Sequence, residues 1–266
     1  MRLKPNRKSN ASAHSSSILI PNGDFKANES YKAIRTNMLH LLKDVPSKTI
    51  LITSPYANAG KTTTSANLAI AFAQLGKKVL LIDADMRKPT IHKLFSTHST
   101  PGLSNILADK ATKDIIKSTN YENLYILTAG NIPSNPSELL HSDIFSNLIA
   151  ELSNEYETIF IDAPPVDAVT DAVIISQLTA GTVLVIRQNS TEKDALIRTV
   201  NALNNVNANI LGYVLNAVDY EKYSYKYGHY SGKYIYKYYS YYNSMGPKNE
   251  TSDSANETTE PIAEQK

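Results

Sequence analysis

The sequence predicts a doubly wound α/β domain with a mainly parallel sheet, followed by a tail of different composition. Three observations lead to this prediction: short apolar runs, helical segments between them, and polar residues where the runs end. Such an alternation is typical of parallel strands that are buried on both faces. The length of 266 residues allows one domain of about 200 residues with additional terminal segments.

Strands and helices are predicted in alternation along the chain. The apolar runs that indicate strands are Thr49–Thr53, Val79–Ile82, Thr158–Ile161, Thr182–Ile186 and Ile210–Leu215. The segments whose composition or apolar spacing indicates helices are Glu29–Leu42, Lys61–Leu75, Ser137–Leu152, Asp171–Leu178 and Glu192–Asn205. Because ligands of such sheets bind beyond the carboxyl ends of the strands, we expect the functional site there.

Composition divides the chain into three parts. Residues 1–28 are predicted to form a flexible basic arm, residues 29–218 the α/β domain, and residues 219–266 a disordered tail. The net charge of only +2 argues against a nucleic-acid partner, and the absence of cysteine excludes disulfides, thiolate metal sites and a cysteine nucleophile. No apolar run is long enough for a signal peptide or a membrane span, so we expect a cytoplasmic protein.

The segment after the first predicted strand has the pattern of a phosphate-binding loop. It opens a predicted helix and reads Ser54-Pro55-Tyr56-Ala57-Asn58-Ala59-Gly60-Lys61-Thr62-Thr63. Backbone N–H groups would surround the phosphates, Lys61 would neutralise them, and the Thr62 hydroxyl would bind Mg²⁺. Pro55 replaces the usual first glycine, and Asn58, which tolerates left-handed backbone angles, stands where a glycine is common. The predicted nucleotide-binding residues of the loop are Asn58, Ala59, Gly60, Lys61, Thr62 and Thr63.

Aspartates follow two other predicted strands. Asp83 and Asp85 come directly after Val79–Ile82, and Asp162 comes directly after Thr158–Ile161. A buried strand rarely ends in a carboxylate unless a cation or a backbone donor binds it. Mg²⁺ that is bound through phosphate typically takes one or two carboxylates together with water. The sequence therefore predicts a site for ATP and Mg²⁺.

Together these motifs resemble those of the bacterial tyrosine kinases (BY-kinases) of capsule and exopolysaccharide synthesis. The resemblance is greatest to the cytoplasmic kinase that occurs as a chain separate from its membrane activator. Leu81–Pro89 resembles the family's Walker A′ motif, and Ile161–Pro165 resembles its Walker B motif. Glu29–Asn37 resembles its oligomerisation motif, with a lysine in place of one arginine, and the residues expected to act there are Glu29, Lys32, Arg35 and Thr36.

The resemblance implies roles for individual residues. Catalysis is assigned to Lys61, Asp83, Asp85 and Asp162. The expected Mg²⁺ ligands, directly or through water, are Thr62, Asp83 and Asp162. Asp85 would either accept the proton of the tyrosine hydroxyl or hold the metal indirectly. Asn216, after the last strand, would read adenine, as in related phosphate-loop folds, and Arg187 is either a residue of the site or a solvated strand-end arginine.

A cluster of tyrosines in the tail provides the predicted phosphate acceptors. Eleven tyrosines lie between positions 220 and 242: Tyr220, Tyr223, Tyr225, Tyr227, Tyr230, Tyr234, Tyr236, Tyr238, Tyr239, Tyr241 and Tyr242. The alternative is an aromatic low-complexity segment that associates with other chains or stacks on RNA bases. The tail contains no tryptophan, and this favours the hydroxyl group over the aromatic ring as the feature that matters.

The resemblance also implies partners. They are further copies of the chain in a ring, a membrane activator of the polysaccharide copolymerase type that would hold the kinase at the membrane, and a cognate tyrosine phosphatase. Two other functions compete with the kinase. One is a ParA/Min-type positioning ATPase, although such proteins usually carry a second lysine early in the loop, where this chain has Tyr56. The other is a non-catalytic adaptor that binds ATP.

Overall fold

The computed structural model describes residue 18 and residues 25–45, 48–108 and 115–218. Within these ranges the strands are β1 Thr49–Thr53, β2 Val79–Asp83, β3 Ile116–Ser118, β4 Leu124–Leu127, β5 Thr158–Asp162, β6 Gly181–Arg187 and β7 Ile210–Asn216. The helices are α1 Phe25–Leu41, α2 Lys61–Ala73, α3 Ile91–Leu94, α4 Leu103–Leu107, α5 Pro136–Leu140, α6 Asp143–Glu155, α7 Asp171–Ser176 and α8 Lys193–Asn204. The predicted tail with its eleven tyrosines and most of the predicted arm lie outside the described residues.

The strands form one sheet in the order β3-β4-β2-β5-β1-β6-β7. Only the β3–β4 pair is antiparallel among the strands described, so the predicted doubly wound, mainly parallel sheet is confirmed. Successive side chains of β2 enter different apolar clusters: Leu81 packs in the cluster that contains Phe72 of α2, and Leu80 in the cluster that contains Phe145 of α6. Since the central strands β1, β2 and β5 are buried on both faces, they consist of continuous apolar runs.

Several elements differ from the prediction. The segment predicted as one helix from Ser137 is divided into α5 and α6, because the Ser142 hydroxyl accepts a hydrogen bond from Phe145 N (3.3 Å) and begins a new helix. The short elements β3, β4, α3 and α4 were not predicted. Helix α1 begins at Phe25, before the predicted start, and Ile18 packs in the same apolar cluster as Met38.

The sheet brings the candidate site residues to one edge. The β2–β5 register pairs Asp83 with Asp162, and the β6–β7 register pairs Arg187 with Asn216. All four residues lie at the carboxyl ends of parallel strands, which is where ligands of such sheets bind. None of the helices in the described part of the chain is long and apolar enough to cross a membrane.

Candidate active site

The loop between β1 and α2 has the backbone geometry of a phosphate-binding loop. Gly60 has φ 95° and Asn58 has φ 63°, so both occupy the left-handed region. Asn58 adopts this conformation where a glycine is common, in keeping with the tolerance of asparagine for it. Helix α2 begins at Lys61, and its N-terminus faces the cleft beside the loop, which favours bound negative charge.

Lys61 lies among the strand-end aspartates. Its Nζ is 2.9 Å from Asp85 Oδ2 and 3.9 Å from Asp162 Oδ2. It also donates to the Thr62 hydroxyl at 3.4 Å. Burial lowers the pKa of Lys61, but the carboxylates of Asp162 and Asp85 outweigh burial, and the net change is a raised pKa. The lysine is therefore a fixed positive charge at the start of α2.

Asp83 and Asp162 form a pair of fully buried carboxyl groups on neighbouring strands. Asp83 Oδ2 accepts hydrogen bonds from the backbone N–H groups of Thr90 (3.2 Å) and Ile91 (3.1 Å), and Asp162 Oδ1 accepts one from the Ser65 hydroxyl (3.0 Å). Burial raises the pKa of Asp83 well above its usual range, and the Asp162 carboxylate raises it further. Burial also raises the pKa of Asp162, while Lys61 opposes that change.

The second oxygen of each buried carboxyl group lacks a hydrogen-bond donor in the described part of the chain, although Lys61 Nζ lies 3.9 Å from that of Asp162. Asp83 Oδ1 and Asp162 Oδ2 are buried and make no hydrogen bond to any of the described residues. Such atoms are costly unless a cation or donor binds them. Within the same described ranges no group of three or more His, Asp or Glu side chains could hold a metal, but Mg²⁺ needs only one or two carboxylates beside phosphate and water. The residues therefore fit an Mg²⁺ that is bound together with a nucleotide.

Asp85 has a different environment from Asp83. The strand β2 ends at Asp83, and the Asp85 side chain turns to Lys61 Nζ (2.9 Å) and to the backbone N–H of Lys88 (3.0 Å). Asp85 lines the cleft, whereas Asp83 is fully buried. Of the two carboxyl groups after β2, Asp85 is thus the one that a substrate in the cleft can reach.

Arg87 is held by residues that the sequence did not single out. Its Nε and one terminal nitrogen donate to the two oxygens of Asp171, at 2.9 and 3.1 Å, and the same terminal nitrogen donates to the Ser137 hydroxyl at 2.9 Å. Ser137 in turn donates to Asp171 (2.6 Å), which is fully buried. The Asp171 carboxylate raises the pKa of Arg87. An aspartate in the first turn of a helix is normally interpreted from sequence as a capping residue. Only the position of Asp171 beside Arg87 in the structure indicates another role.

Two strand-end residues contact the phosphate loop. Arg187 donates from NH1 to the carbonyl of Asn58 (3.2 Å), and Asn216 donates from Nδ2 to the carbonyl of Ala59 (2.9 Å). Arg187 is thus bound to the site and is not only a solvated strand-end residue. The adenine contact expected of Asn216 stays a prediction.

A third contact holds the loop through Tyr56. The Tyr56 hydroxyl accepts a hydrogen bond from Arg198 of α8 (3.2 Å), and Arg198 also pairs with Asp167 (2.6 Å). In a positioning ATPase the second loop lysine would be expected here. The tyrosine instead connects the loop to α8. This partner could not be predicted from the sequence, because Arg198 lies on an exposed helix face.

The cleft beside the loop has a volume of about 530 Å³. The phosphate loop and the segments after β2 and β5 form its walls. Lys88 and Lys93 on the wall after β2 are exposed and make no ion pair within the described ranges. The cleft can therefore accept an anion such as a polyphosphate, and it is open enough for a peptide side chain.

The predicted oligomerisation residues lie on α1. Glu29 and Lys32 form an ion pair of 2.7 Å on the helix surface, and the Thr36 hydroxyl donates to the carbonyl of Lys32 (2.9 Å). Arg35 donates to the carbonyl of Ala71 in α2 (2.6 Å). Within the chain, Arg35 thus fixes α1 against α2, and the role of these residues between subunits stays a prediction.

Comparisons with known proteins identify the family of the chain. The family model described as an AAA domain matches residues 47–212. The tyrosine-protein kinase YwqD of Bacillus subtilis is 42% identical over 206 residues, which cover 77% of this chain and 86% of that protein. The chain belongs to the bacterial tyrosine-protein kinase family. The tyrosine-protein kinase ptk of Acinetobacter johnsonii is 36% identical over 76% of this chain, which matches only 28% of that longer protein.

Comparison with solved structures shows whether the chain is more similar to a BY-kinase or to a positioning ATPase. The chimerical protein CapA2B2 is 42% identical with a TM-score of 0.69, over 71% of this chain and 84% of that chain. The kinase domain of the Escherichia coli tyrosine kinase ETK is 32% identical with a TM-score of 0.70, over 72% and 75%. The septum site-determining protein MinD of Pyrococcus horikoshii, complexed with Mg-ADP, is 27% identical with a TM-score of 0.53, over 63% and 69%. The chain is therefore more similar to the kinases, while it shares its fold with MinD.

Proposed function

We propose that this BY-kinase transfers the γ-phosphoryl group of ATP to tyrosines of its own C-terminal tail and thereby regulates capsule or exopolysaccharide synthesis. One observation carries the proposal: Lys61 lies beside a phosphate loop, among aspartates that end β2 and β5 or follow β2. Phosphoryl transfer depends mainly on positioning and on neutralisation of charge. A lysine, a helix N-terminus and carboxylates suited to Mg²⁺ supply both.

The residues divide into a metal-binding group and a substrate-binding group. Thr62, Asp83 and Asp162 would hold Mg²⁺, directly or through water, and the metal would neutralise charge on the phosphates. Lys61 would bind the β- and γ-phosphates, with the loop N–H groups from Asn58 to Thr63 around them.

Asp85 is the candidate to accept the proton of the acceptor. The tyrosine oxygen forms a bond to the γ-phosphorus, the bond between that phosphorus and the β–γ bridging oxygen breaks, and ADP leaves. A free tyrosine has a pKa of about 10, so a carboxylate within reach assists the loss of its proton. Asp85 lines the cleft and is ion-paired with Lys61. A phosphate that binds Lys61 competes with this pair and leaves Asp85 freer to accept a proton.

The acceptors would be the eleven tyrosines between positions 220 and 242. A tethered tail presents them at high effective concentration and can reach the site of a neighbouring subunit in an oligomer. Each phosphate adds about −1.5 to −2 charges at neutral pH. Because like charges repel, we expect the phosphorylated oligomer to loosen. Light scattering of phosphorylated and dephosphorylated protein at equal concentration tests this, and equal masses would contradict it.

The proposed partners follow from the family. They are a membrane activator of the copolymerase type, which would hold the kinase at the cytoplasmic face of the membrane, and a tyrosine phosphatase that resets the tail. CapA2B2, to which the chain is similar, is a chimerical protein. A positioning ATPase and an ATP-binding adaptor are the alternatives that the experiment must distinguish.

The proposal is tested by mapping phosphotyrosine after incubation with Mg-ATP. Wild type, Lys61→Ala, Asp83→Ala and the control Lys43→Ala are incubated with and without the cytoplasmic tail of a candidate activator. Lys43 is exposed and lies outside the cleft. We expect phosphate in residues 220–242 of wild type and Lys43→Ala, and none in the other two variants.

Other outcomes favour the alternatives. ATP hydrolysis without phosphotyrosine, even with a functional activator, would favour the positioning ATPase. Nucleotide binding without either reaction would favour the adaptor.

A further inference from the structure

Two side chains at the ends of β6 and β7 bind consecutive carbonyl groups of the phosphate loop. Arg187 donates to the carbonyl of Asn58 (3.2 Å), and Asn216 donates to the carbonyl of Ala59 (2.9 Å). We propose that Arg187 and Asn216 are positioning residues that turn the loop N–H groups toward the polyphosphate of the substrate. The inference rests on the proposed function in one respect, namely that the substrate carries a polyphosphate.

The peptide unit between two residues of the loop is planar. The carbonyl of one residue and the N–H of the next point in opposite directions in the same plane. A side chain that holds the Asn58 carbonyl therefore fixes the N–H of Ala59, and one that holds the Ala59 carbonyl fixes the N–H of Gly60. A phosphate loop binds its ligand through such N–H groups. A peptide flip would turn them away, and each of the two hydrogen bonds opposes one flip.

The loop needs this support because part of its backbone adopts the left-handed conformation, which is uncommon. Asn58 and Gly60 have positive φ on either side of Ala59. The left-handed region is unfavourable for residues with a side chain, and asparagine is among those that tolerate it best. The usual first glycine of the loop is replaced by Pro55. Contacts from outside the loop therefore have to select the conformation that binds phosphate.

The two donors come from adjacent strands of the sheet. Arg187 and Asn216 are direct neighbours in the parallel ladder of β6 and β7. Asn216 Oδ1 accepts a hydrogen bond from the backbone N–H of Ala217 (2.8 Å), which orients the amide so that Nδ2 faces the loop. A Cβ atom on Gly60 would lie 2.0 Å from Asn216 Nδ2, so the amide packs directly against this glycine.

The proposal gives Asn216 a different role from recognition of adenine. Its Nδ2 binds the loop and its Oδ1 binds the adjacent backbone. A base-reading residue affects only ligands that carry the base. A residue that orients the loop affects every polyphosphate, with or without a base. This difference makes the two roles separable.

Isothermal titration calorimetry with Mg-tripolyphosphate, which has no base, provides the test. We expect Asn216→Ala to bind it about 3- to 10-fold more weakly than wild type, since one hydrogen bond is lost. Asn209→Ala is the matched control: Asn209 Nδ2 donates to the carbonyl of Ala180 (2.7 Å) at the opposite ends of β6 and β7. It should bind as wild type does. Weaker binding of ATP by Asn216→Ala with unchanged binding of tripolyphosphate would overturn the proposal and establish base reading.

The role of Arg187 is tested by removing its hydrogen-bond donors and then restoring one of them. Arg187→Met should weaken binding of Mg-tripolyphosphate, and Arg187→Lys, which keeps a donor and the charge, should restore most of it. Thermal unfolding followed by circular dichroism verifies that each variant is folded. The KM for ATP should rise in Arg187→Met and Asn216→Ala more than kcat falls, because the loop orients the ground state and the transition state alike.

Because binding of tripolyphosphate is measured without any phosphoryl transfer, this inference can be tested separately from the proposed function. If wild type binds tripolyphosphate and Asn216→Ala binds it more weakly, the inference stands even when no tyrosine is phosphorylated. If Asn216→Ala and Arg187→Met both bind it as tightly as wild type, the inference is wrong even when the kinase is active.

Discussion

The pair formed by Asp171 and Arg87 allows a quantitative test of the structure. Asp171 is fully buried, and both of its oxygens accept hydrogen bonds from the guanidinium of Arg87. The substitution Asp171→Asn keeps the shape of the side chain and removes its charge. It also places an amide donor opposite guanidinium donors. The variant therefore measures the charged interaction without creating a cavity.

The expected loss follows from the contacts. Hydrogen bonds to charged groups contribute about 1.5–3 kcal/mol each, and the two from Arg87 are affected, whereas Ser137 can still donate to the amide oxygen that remains. Because 37% of the Arg87 side chain is exposed, solvent screens much of this energy. We therefore expect a loss of about 2 kcal/mol in the free energy of unfolding. In a domain of this size that corresponds to a fall in Tm of about 4–8 °C.

Urea unfolding of wild type, Asp171→Asn, Arg87→Met and the double variant measures the coupling. The double variant should lose less stability than the sum of the single variants, because the contact can be lost only once. The control is Glu157→Gln, which breaks the exposed Lys77–Glu157 pair (2.9 Å) and should cost less than about 1 kcal/mol. Additive losses, or an Asp171→Asn variant as stable as the control, would show that this ion pair does not stabilise the fold.

Two further substitutions test the buried acid and the loop. Burial raises the pKa of Asp83, so its ionised form destabilises the fold above the ordinary carboxyl pKa of about 4. Asp83→Asn should therefore raise the free energy of unfolding at neutral pH, and this gain should disappear in acid. Unfolding at several pH values measures the gain. A gain equal to that of the exposed control Asp44→Asn would contradict the prediction. Gly60→Ala should abolish binding of Mg-tripolyphosphate in calorimetry, because Gly60 has φ 95° and no room for a Cβ atom. Gly76→Ala, with φ 77° and no atom within 4 Å, should bind normally, and equal effects of the two would contradict this explanation.

Much of the candidate site could be predicted because its residues follow local patterns. Lys61 opens a helix after an apolar strand, and Asp83 and Asp162 each end an apolar strand. These relations involve neighbours in the sequence, and strand–loop–helix geometry is decided over a few residues. The division of one predicted helix at Ser142 was missed, although serine is a frequent N-cap, because the apolar pattern continues across it.

The contacts between distant residues could not be predicted in this way. Arg87 meets Asp171 across 84 positions, and Asn216 meets Ala59 across 157. Which side chains meet depends on the order of the strands, and the order depends on how each crossover connection packs. A local sequence pattern does not indicate the order of the strands in the sheet. The partner of an arginine or asparagine at a strand end therefore cannot be predicted from it.

The amino-acid sequence alone is sufficient to predict the alternation of strands and helices, the phosphate loop and the acidic residues at the strand ends. Periodicity and turn chemistry are properties of adjacent residues, so they can be read from the chain directly. The folded chain adds contacts that local sequence patterns do not reveal: Asp83 lies beside Asp162, Asp171 binds Arg87, and residues at the ends of β6 and β7 bind the loop carbonyls. These contacts arise when the parallel strands are placed side by side, because only then do their carboxyl ends share one edge of the sheet.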